Sequence, residues 1–241
     1  MYVSNKHIAI PDHDTVVWKY LDLSKFLDLL MARKLFMARS DKFEDQYEGT
    51  FSEPSFEEMK RLSANEPGFL DRYKNLRKNI VVSSWHINPY ESFAMWQIFT
   101  RNNEGLAIQS TIGRLQEALA PESRFEQYIG DVKYIDYKKE FIPFDNEFFP
   151  FLFKRHSFQY EKEVRIVSNV SRFDMEIHEG LKIDVDINKL IERIYIHPKS
   201  ENWYKRLVTE LMNKLGFDFI IEKSDLESDI PVSYTHLRAH E

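Results

Sequence analysis

The sequence contains no cysteine, which excludes three kinds of chemistry at once. Disulfide bonds, thiolate nucleophiles and cysteine-ligated zinc sites all require this residue. A chain without cysteine is also typical of a reducing compartment, so we expect the protein in the cytoplasm.

Glycine is scarce, at 7 residues, where average usage predicts about 17. Neither GxGxxG nor the pattern GxxxxGK followed by Ser or Thr occurs, so a glycine-rich phosphate loop is not expected. No apolar run approaches the roughly 18 residues of a membrane-spanning helix. Residues 1–14 lack the charged and apolar regions of a signal peptide. We therefore expect no membrane partner.

The chain has no excess of positive charge. Its 33 basic and 39 acidic residues give a net charge of −6. Nucleic-acid-binding proteins usually carry a basic imbalance or a basic run, so nucleic acid is an unlikely partner overall. No HExxH motif and no carboxylate–histidine cluster at metal-ligand spacing occurs, so no metal centre of those kinds is predicted.

What the chain does contain fits one folded unit. Its 241 residues are 43% hydrophobic and 30% charged, and a compact fold of this size buries about 70% of the surface of the extended chain. Helices and strands follow one another without a strict βαβ alternation. The fold class is therefore predicted as α+β, with a mixed central sheet and flanking helices. We assign residues 1–14 to an N-terminal lead and residues 15–231 to a single domain.

Hydrophobic periodicity and capping residues predict the individual elements. Strands are expected at residues 15–21, 35–39, 79–86, 105–109, 128–137, 160–167, 181–185, 193–197 and 217–221. Two helices are expected to follow the capping residues Ser24 and Asp186. Further helices are expected at residues 55–62, 69–76, 91–99, 111–119, 146–154 and 203–215.

The last ten residues, 232–241, resemble a translated sequencing adapter. We interpret them as a non-native tail and exclude them from the functional analysis. The two histidines of this segment, His236 and His240, are therefore not treated as a metal-binding pair.

An acidic loop at residues 41–49 is the first candidate for chemistry. Asp41, Asp45 and Glu48 are four and three residues apart, so they would share one side if the loop were helical. Three carboxylates could then hold Mg²⁺, which prefers oxygen ligands. The alternative is a capped turn whose Asp side chains accept backbone N–H bonds and whose Gly49 adopts a positive φ.

Two polar residues of the third predicted strand form the second candidate. Ser84 and His86 are two residues apart and therefore share one strand face, opposite Ser83 and Trp85. This spacing could put a hydroxyl beside a base, although no GxSxG motif accompanies it. The alternative is a half-buried strand whose hydroxyls bind backbone groups.

The third candidate is the alternating segment at residues 160–167. On a strand, Glu161, Glu163 and Arg165 share one face. One carboxylate could bind a ribose hydroxyl while the other orients a nucleophile. On a solvated face, Arg165 would simply pair with Glu163. Trp96 is a further candidate, either as a platform for a stacked base or as a core aromatic residue.

Several motifs together resemble the bacterial family called domain of unknown function 2971. The resemblance runs from about residue 16 to residue 226 and implies a single intracellular prokaryotic domain of no established activity. The loop departs at Gln46 and Tyr47, where the family often has proline and an aromatic residue, so the loop is expected to be less rigid. The motifs are Trp18-Lys-Tyr-Leu, Leu35-Phe-x-Ala-Arg-x-Asp-x-Phe-x-Asp-x-x-Glu-Gly, Ser84-Trp-His, Glu91-Ser-x-x-Met-Trp, Asn103-Glu-Gly-x-Ala-Ile-Gln and Lys154-Arg-x-Ser-Phe-x-x-Glu-x-Glu-x-Arg.

The order of elements is also remotely similar to that of ADP-ribosyltransferases. Those enzymes carry a basic residue or histidine on a first strand, a serine in a second motif, and Glu-x-Glu or Gln-x-Glu on a late strand. The corresponding residues would be Lys19, Ser83 or Ser84, and Glu161 with Glu163. Lys19 replaces the usual Arg or His of the first motif, and a tyrosine follows it instead of the common glycine.

By this similarity, Glu163 would stabilise the positive charge that develops on the ribose as nicotinamide leaves NAD, and Glu161 would position the acceptor. Lys19, Lys154 and Arg165 would bind the ligand. Two alternatives remain open: a Mg²⁺-dependent nuclease or phosphoesterase using the acidic loop, and a non-catalytic binding or regulatory domain, for instance in phage defence.

Overall fold

The structure is a computed structural model, and it describes residues 1–63, 76–119, 123–173 and 177–227. These residues form an α+β fold with a mixed nine-stranded sheet flanked by helices, as predicted. The strands of the described residues are β1 (Val16–Asp22), β2 (Lys34–Arg39), β3 (Ile80–Ile87), β4 (Gly105–Thr111), β5 (Tyr128–Asp131), β6 (Lys133–Ile135), β7 (Phe153–Arg155), β8 (Glu163–Asn169), β9 (Gly180–Asp184), β10 (Arg193–Ile196) and β11 (Ile220–Lys223).

Six α-helices and four 3₁₀ helices have their bounds within the described residues, and residues 76–79 are helical as well. The α-helices are α1 (Leu23–Ala32), α2 (Glu53–Ser63), α3 (Phe93–Phe99), α4 (Ile112–Ala118), α5 (Ile187–Leu190) and α6 (Asn202–Leu215). The 3₁₀ helices are Ser40–Lys42, Phe149–Phe151, His156–Glu161 and Asp225–Glu227. In these residues no helix has the length and apolar character that crossing a membrane requires.

Most predicted elements are present, with capping as the local cause in two cases. The Thr111 side chain accepts a hydrogen bond from the backbone N–H of Arg114 and starts α4, as Asp186 does for α5. For α1 the prediction of the cap was wrong, because Asp22 occupies that position and makes no side-chain cap bond. The predicted helix at 69–76 falls almost wholly outside the described residues, as does the tail at 232–241.

Two predicted elements in the middle of the chain were wrong. The expected strand at 128–137 divides into β5 and β6. The expected aromatic helix at 146–154 is only the short turn Phe149–Phe151, followed by β7. Pro150 lies in this turn, where it can begin a helical turn but cannot donate a backbone hydrogen bond within a longer helix.

The sheet joins parts of the chain that are far apart in sequence. Its main order is β11-β10-β4-β1-β3-β2-β9, with β8 on the other side of β3 and β5 beyond it. One face carries the main core, which contains Val17 and Leu21 of β1 and Val164 and Ile166 of β8. Trp18, Tyr20, Met95 and Trp96 form a smaller cluster with Ala107. Since alternate residues of a strand point to opposite faces, both faces of β1 are packed.

Candidate functional site

An interruption in strand pairing along β3 creates the candidate site. On one edge, β8 pairs with β3 from Ile80 to His86. On the other edge, β1 pairs at His86 and Ile87, whereas β2 pairs only at Val81 and Val82. Between these two pairings, residues 83–85 have no partner strand on that edge among the described residues. We call this stretch the open edge.

A cavity of about 560 Å³ lies at the open edge. This volume is within the roughly 300–1,000 Å³ of sites that bind small organic ligands. Strands β1, β2, β3 and β8, helix α1 and the loop before α2 all contribute to its wall. Six aromatic side chains line it, which are Trp18, Tyr20, Phe36, Phe43, Trp85 and Phe99.

A buried cluster of charged side chains forms one part of the cavity wall. Arg165 donates from Nε to Glu163 at 2.8 Å, and its Nη2 also donates to Glu48. Lys154 Nζ lies 2.8 Å from Glu163 Oε1 and 3.1 Å from Glu48 Oε1. The side chains of these four residues are at most 7% exposed. The interpretation of the Glu163–Arg165 pair as a solvated surface pair was therefore wrong.

Three separate segments bring this cluster together. Glu163 and Arg165 are alternate residues of β8, so both side chains lie on the face opposite Val164 and Ile166. Lys154 is the central residue of β7. Burying these charges is tolerable only because each has an opposite charge within hydrogen-bonding distance.

Glu48 reaches the cluster from the acidic loop through a tight turn. Gly49 follows it with φ +72°, and a Cβ at Gly49 would lie 2.6 Å from the Phe151 ring. Asp45 accepts a hydrogen bond from the backbone N–H of Tyr47. The loop is therefore a capped turn with a glycine at positive φ, which is the alternative that the sequence left open.

Glu161 differs from its predicted placement. It ends the 3₁₀ helix His156–Glu161 and is not part of β8, because Lys162 adopts a left-handed conformation with φ 41° before the strand begins. The expectation that Glu161 lies on the same strand as Glu163 and Arg165 was therefore wrong. Its carboxylate nevertheless lies 2.7 Å from Lys154 Nζ and lines the cavity.

The two neighbouring carboxyl groups, Glu161 and Glu163, have opposite pKa shifts. Burial raises the pKa of Glu161 to about 7, and its hydrogen bond with Glu163 adds to this. Burial would also raise the pKa of Glu163, but Arg165 and Lys154 outweigh it and hold that pKa well below its ordinary value. Three carboxyl groups, with Glu48, face only two cations here, so a proton on Glu161 leaves the cluster neutral.

Ser84 and His86 lie on β3 opposite the charged cluster, where they pair with Arg165 and Glu163. His86 Nδ1 contacts the backbone carbonyl of Glu161, and His86 Nε2 is 3.3 Å from Asn88 Nδ2. Burial lowers the pKa of His86 and favours its neutral form. Both ring nitrogens therefore have other partners, so the predicted hydroxyl–base pair of Ser84 and His86 does not form.

Lys19 extends across the open edge from β1. Its Nζ donates to Ser83 Oγ at 3.1 Å and to the backbone carbonyl of Ser84 at 3.0 Å. It lies on the core face of the sheet with Val17, whereas the charged cluster lies on the opposite face. The cavity therefore reaches both faces through the gap between strands.

Two predicted site residues of the acidic loop, Asp41 and Asp45, do not line the cavity. Asp41 forms a two-pronged ion pair with Arg39, with Nε–Oδ1 at 2.6 Å, and Asp45 forms one with Arg155. Because each loop carboxylate has its own cation, Asp41, Asp45 and Glu48 do not form the predicted magnesium site. No cluster of three or more His, Asp or Glu in the described ranges is arranged to hold a metal ion.

Trp96 is a core residue, which was the alternative interpretation of it. Its side chain is completely buried, packs edge-on against Tyr20 at 5.0 Å between ring centroids, and donates from Nε1 to Glu91. The prediction that Trp96 stacks against a ligand base was therefore wrong.

Many wall residues were not selected from the sequence, Lys25 and Phe43 among them. Lys25 of α1 and Phe43 after the first 3₁₀ helix line the cavity. No local pattern marks either residue, since Lys25 is one lysine on an amphipathic helix. The segment 35–49 resembled the family motif, which was the only available signal for Phe43.

No family model matches the chain, and neither the curated proteins nor the solved structures contain a match. The resemblances to domain of unknown function 2971 and to ADP-ribosyltransferases therefore remain predictions from sequence motifs.

Proposed function

We propose that the protein is an enzyme that binds a nucleotide such as NAD in the cavity and cleaves its glycosidic bond to nicotinamide. One observation carries the proposal: Glu161 and Glu163, with opposite protonation preferences, are joined by Lys154 at the wall of a ligand-sized cavity. Neighbouring titratable groups with divergent pKa values are typical of acid–base sites. The similarity of the motif order to that of ADP-ribosyltransferases also supports this proposal.

The two carboxyl groups have different roles in the proposed reaction. The C1′–N bond breaks with its electron pair leaving on nicotinamide, while the oxygen of water or another hydroxyl acceptor forms a bond to C1′. Ionised Glu161 takes the proton from that acceptor. Glu163, held in place by Arg165 and Lys154, is a fixed acceptor for a ribose hydroxyl.

The aromatic wall supports a nucleotide over a small inorganic substrate. Flat rings such as those of Phe36, Phe43 and Phe99 offer apolar contact to a base. The cation Lys25 of the cavity wall suits the phosphates. This assignment of a ligand class follows from the combination of apolar, acidic and basic surfaces in one cavity.

A thermal-shift titration with NAD⁺ tests binding, and chromatographic detection of released nicotinamide tests turnover. A ligand at 100-fold its Kd adds about 2.7 kcal/mol to the stability of the folded state, which raises Tm by several degrees. We expect Glu161→Gln to keep the shift and to lose nicotinamide release. Glu222→Gln, which removes a half-exposed carboxylate of β11 outside the cavity wall, is the matched control and should keep both.

The two measurements distinguish an enzyme that cleaves NAD from a domain that only binds it. No shift at millimolar NAD⁺ would overturn the proposal. A shift without release in the wild-type protein would instead support a non-catalytic nucleotide-binding domain. Glu163→Gln is less suitable as the first variant, because loss of this charge leaves Arg165 and Lys154 with fewer partners in a buried site.

A further inference from the structure

Lys19 is a half-buried lysine that the proposed glycosidic chemistry does not use at its reacting atoms. Its Nζ lies 5.4 Å from the centre of the Trp85 ring and faces the cavity. Among the described residues Nζ has two hydrogen-bond acceptors, Ser83 Oγ and the Ser84 carbonyl, and both are uncharged. Buried ammonium groups usually have an anionic partner, so this environment disfavours the charged form.

The charged groups around Lys19 come from three elements. Burial lowers the pKa of Lys19 to about 8, and the positive charge of Lys25 on α1 contributes to this, whereas Glu163 on β8 opposes it. His86 of β3 lines the same cavity, and burial lowers its pKa too.

The remaining charged wall residues already have partners. Glu48, Glu161, Lys154 and Arg165 pair with one another in the buried cluster, and two further wall residues pair outside the cavity. Asp28 of α1 lies 2.6 Å from Lys182, and Lys34 of β2 lies 3.4 Å from Asp184. Asp28 is therefore held by another lysine and does not replace the missing anionic partner of Lys19.

The hydrogen bonds at Nζ match those of a neutral amine. A neutral lysine has two N–H donors and one lone pair, and the two donors suffice for Ser83 Oγ and the Ser84 carbonyl. The lone pair then has no hydrogen to hold, and Lys19 lines the cavity. A lysine that is desolvated, or adjacent to another cation, is an activated nucleophile for carbonyl compounds.

We propose that Lys19 is an amine nucleophile that captures a small anionic aldehyde or ketone in the cavity as an imine. The Nζ lone pair forms a bond to the carbonyl carbon, and the carbonyl oxygen leaves as water with both amine hydrogens. Lys25 attracts the anionic group of the substrate. This inference does not rest on the nucleotide proposal, because neither Glu161 nor nicotinamide takes part.

The experiment uses the full chain with glyoxylate, a small anionic aldehyde, and sodium cyanoborohydride to reduce the imine. Peptide mass spectrometry then measures the rate of carboxymethyl addition at each lysine. At pH 7.5 we expect Lys19 to react about tenfold or more faster than Lys205, because a lowered pKa increases the fraction of neutral amine. Lys205 is an exposed lysine on α6 and serves as the internal control.

Two variants and a second probe test the physical cause. Lys25→Met removes the nearby positive charge, so the rate at Lys19 should fall at pH 7.5 and its pH profile should move upward. In this variant the rate of adduct formation at Lys19 should fall less with acetaldehyde, which has no charge, than with glyoxylate. Lys19→Arg removes the reactive amine but keeps N–H donors at this position, and loss of the adduct confirms the site.

Two results would overturn the proposal. One is labelling of Lys19 no faster than labelling of Lys205. The other is a pH profile at Lys19 with its midpoint near that of an ordinary lysine. Neither result depends on NAD⁺ binding, so this proposal and the proposed function can fail separately.

Discussion

Two residues apart in the chain, Glu161 and Glu163 differ in protonation because their partners differ. Glu163 contacts both Arg165 and Lys154, whereas Glu161 contacts only Lys154 among these cations. A left-handed residue, Lys162, separates them and turns Glu161 away from the strand. The same residue type therefore provides a fixed anion and a group that titrates near neutral pH.

The raised pKa of Glu161 predicts a pH dependence of stability. Its pKa is about 7 in the folded protein and about 4.5 in an unfolded chain, so the folded state binds the additional proton. This contribution is complete below about pH 4.5 and is lost as the pH rises through 7. Relative to the wild-type protein, Glu161→Gln should therefore gain unfolding free energy between pH 5 and pH 8.

Urea denaturation at several pH values measures this difference. The comparison with the wild-type protein also cancels the opposite contribution of His86, whose lowered pKa makes stability rise with pH below about 6.5. Glu222→Gln is the control for loss of a carboxylate elsewhere. An unchanged difference between Glu161→Gln and the wild-type protein across this range would show that Glu161 does not titrate as inferred.

At the scale of single elements, the pairing of β3 decides where the site lies. β1 leaves β3 after Trp18, α1 follows, and β2 returns to the same edge only at Ala38. The open edge results because α1 separates these two pairings. Lys19 replaces one of the missing strand–strand hydrogen bonds, because its amine donates to the Ser84 carbonyl at the open edge.

Gly216 ends helix α6 in a left-handed conformation. It has φ +79°, and its backbone N–H donates to the carbonyls of Met212 and Asn213. A Cβ at this position would meet no atom within 4 Å, so the cost of Gly216→Ala is conformational only. We expect a loss of about 1 kcal/mol in unfolding free energy, measured by urea denaturation.

Gly216→Asn is the matched variant, because asparagine adopts the left-handed conformation more readily. It should lose less stability than Gly216→Ala. Equal losses in the two variants would contradict a purely conformational origin.

Across the whole molecule, the sheet links early and late segments directly. β4 pairs with β1 on one side and with β10 on the other, so residues 16–22 and 193–196 share one central strand. The main core contains residues from both ends of this arrangement, such as Val17 and Ile194. Neither half of the sheet can therefore keep its core without the other.

This connectivity predicts a single unfolding transition. In differential scanning calorimetry, the calorimetric enthalpy of unfolding should equal the van't Hoff enthalpy, as it does for a two-state domain. Ile108→Val in β4, where the side chain is fully buried, should cost about 1 kcal/mol and shift the whole transition. Two separate transitions, or a shift of only part of the signal, would contradict the prediction of a single domain.

The local pattern of the sequence was sufficient for the fold class and for most elements. Apolar spacing marked α6, alternation marked β8, and the caps Thr111 and Asp186 marked two helix starts. These patterns involve residues that are close together in the sequence, so they can be recognised without knowing which distant segments the element packs against. The residues Glu163, Arg165 and Lys19 were also identified as candidates from the sequence.

Only the tertiary structure decided which candidates form a site. Glu48 binds Arg165 across 117 residues, whereas its loop neighbours Asp41 and Asp45 bind other arginines. Glu161 left the predicted strand because of one left-handed residue. The open edge likewise depends on which strands pair with β3. Ion pairs and strand pairing join distant segments, and no local pattern of residues encodes those partners.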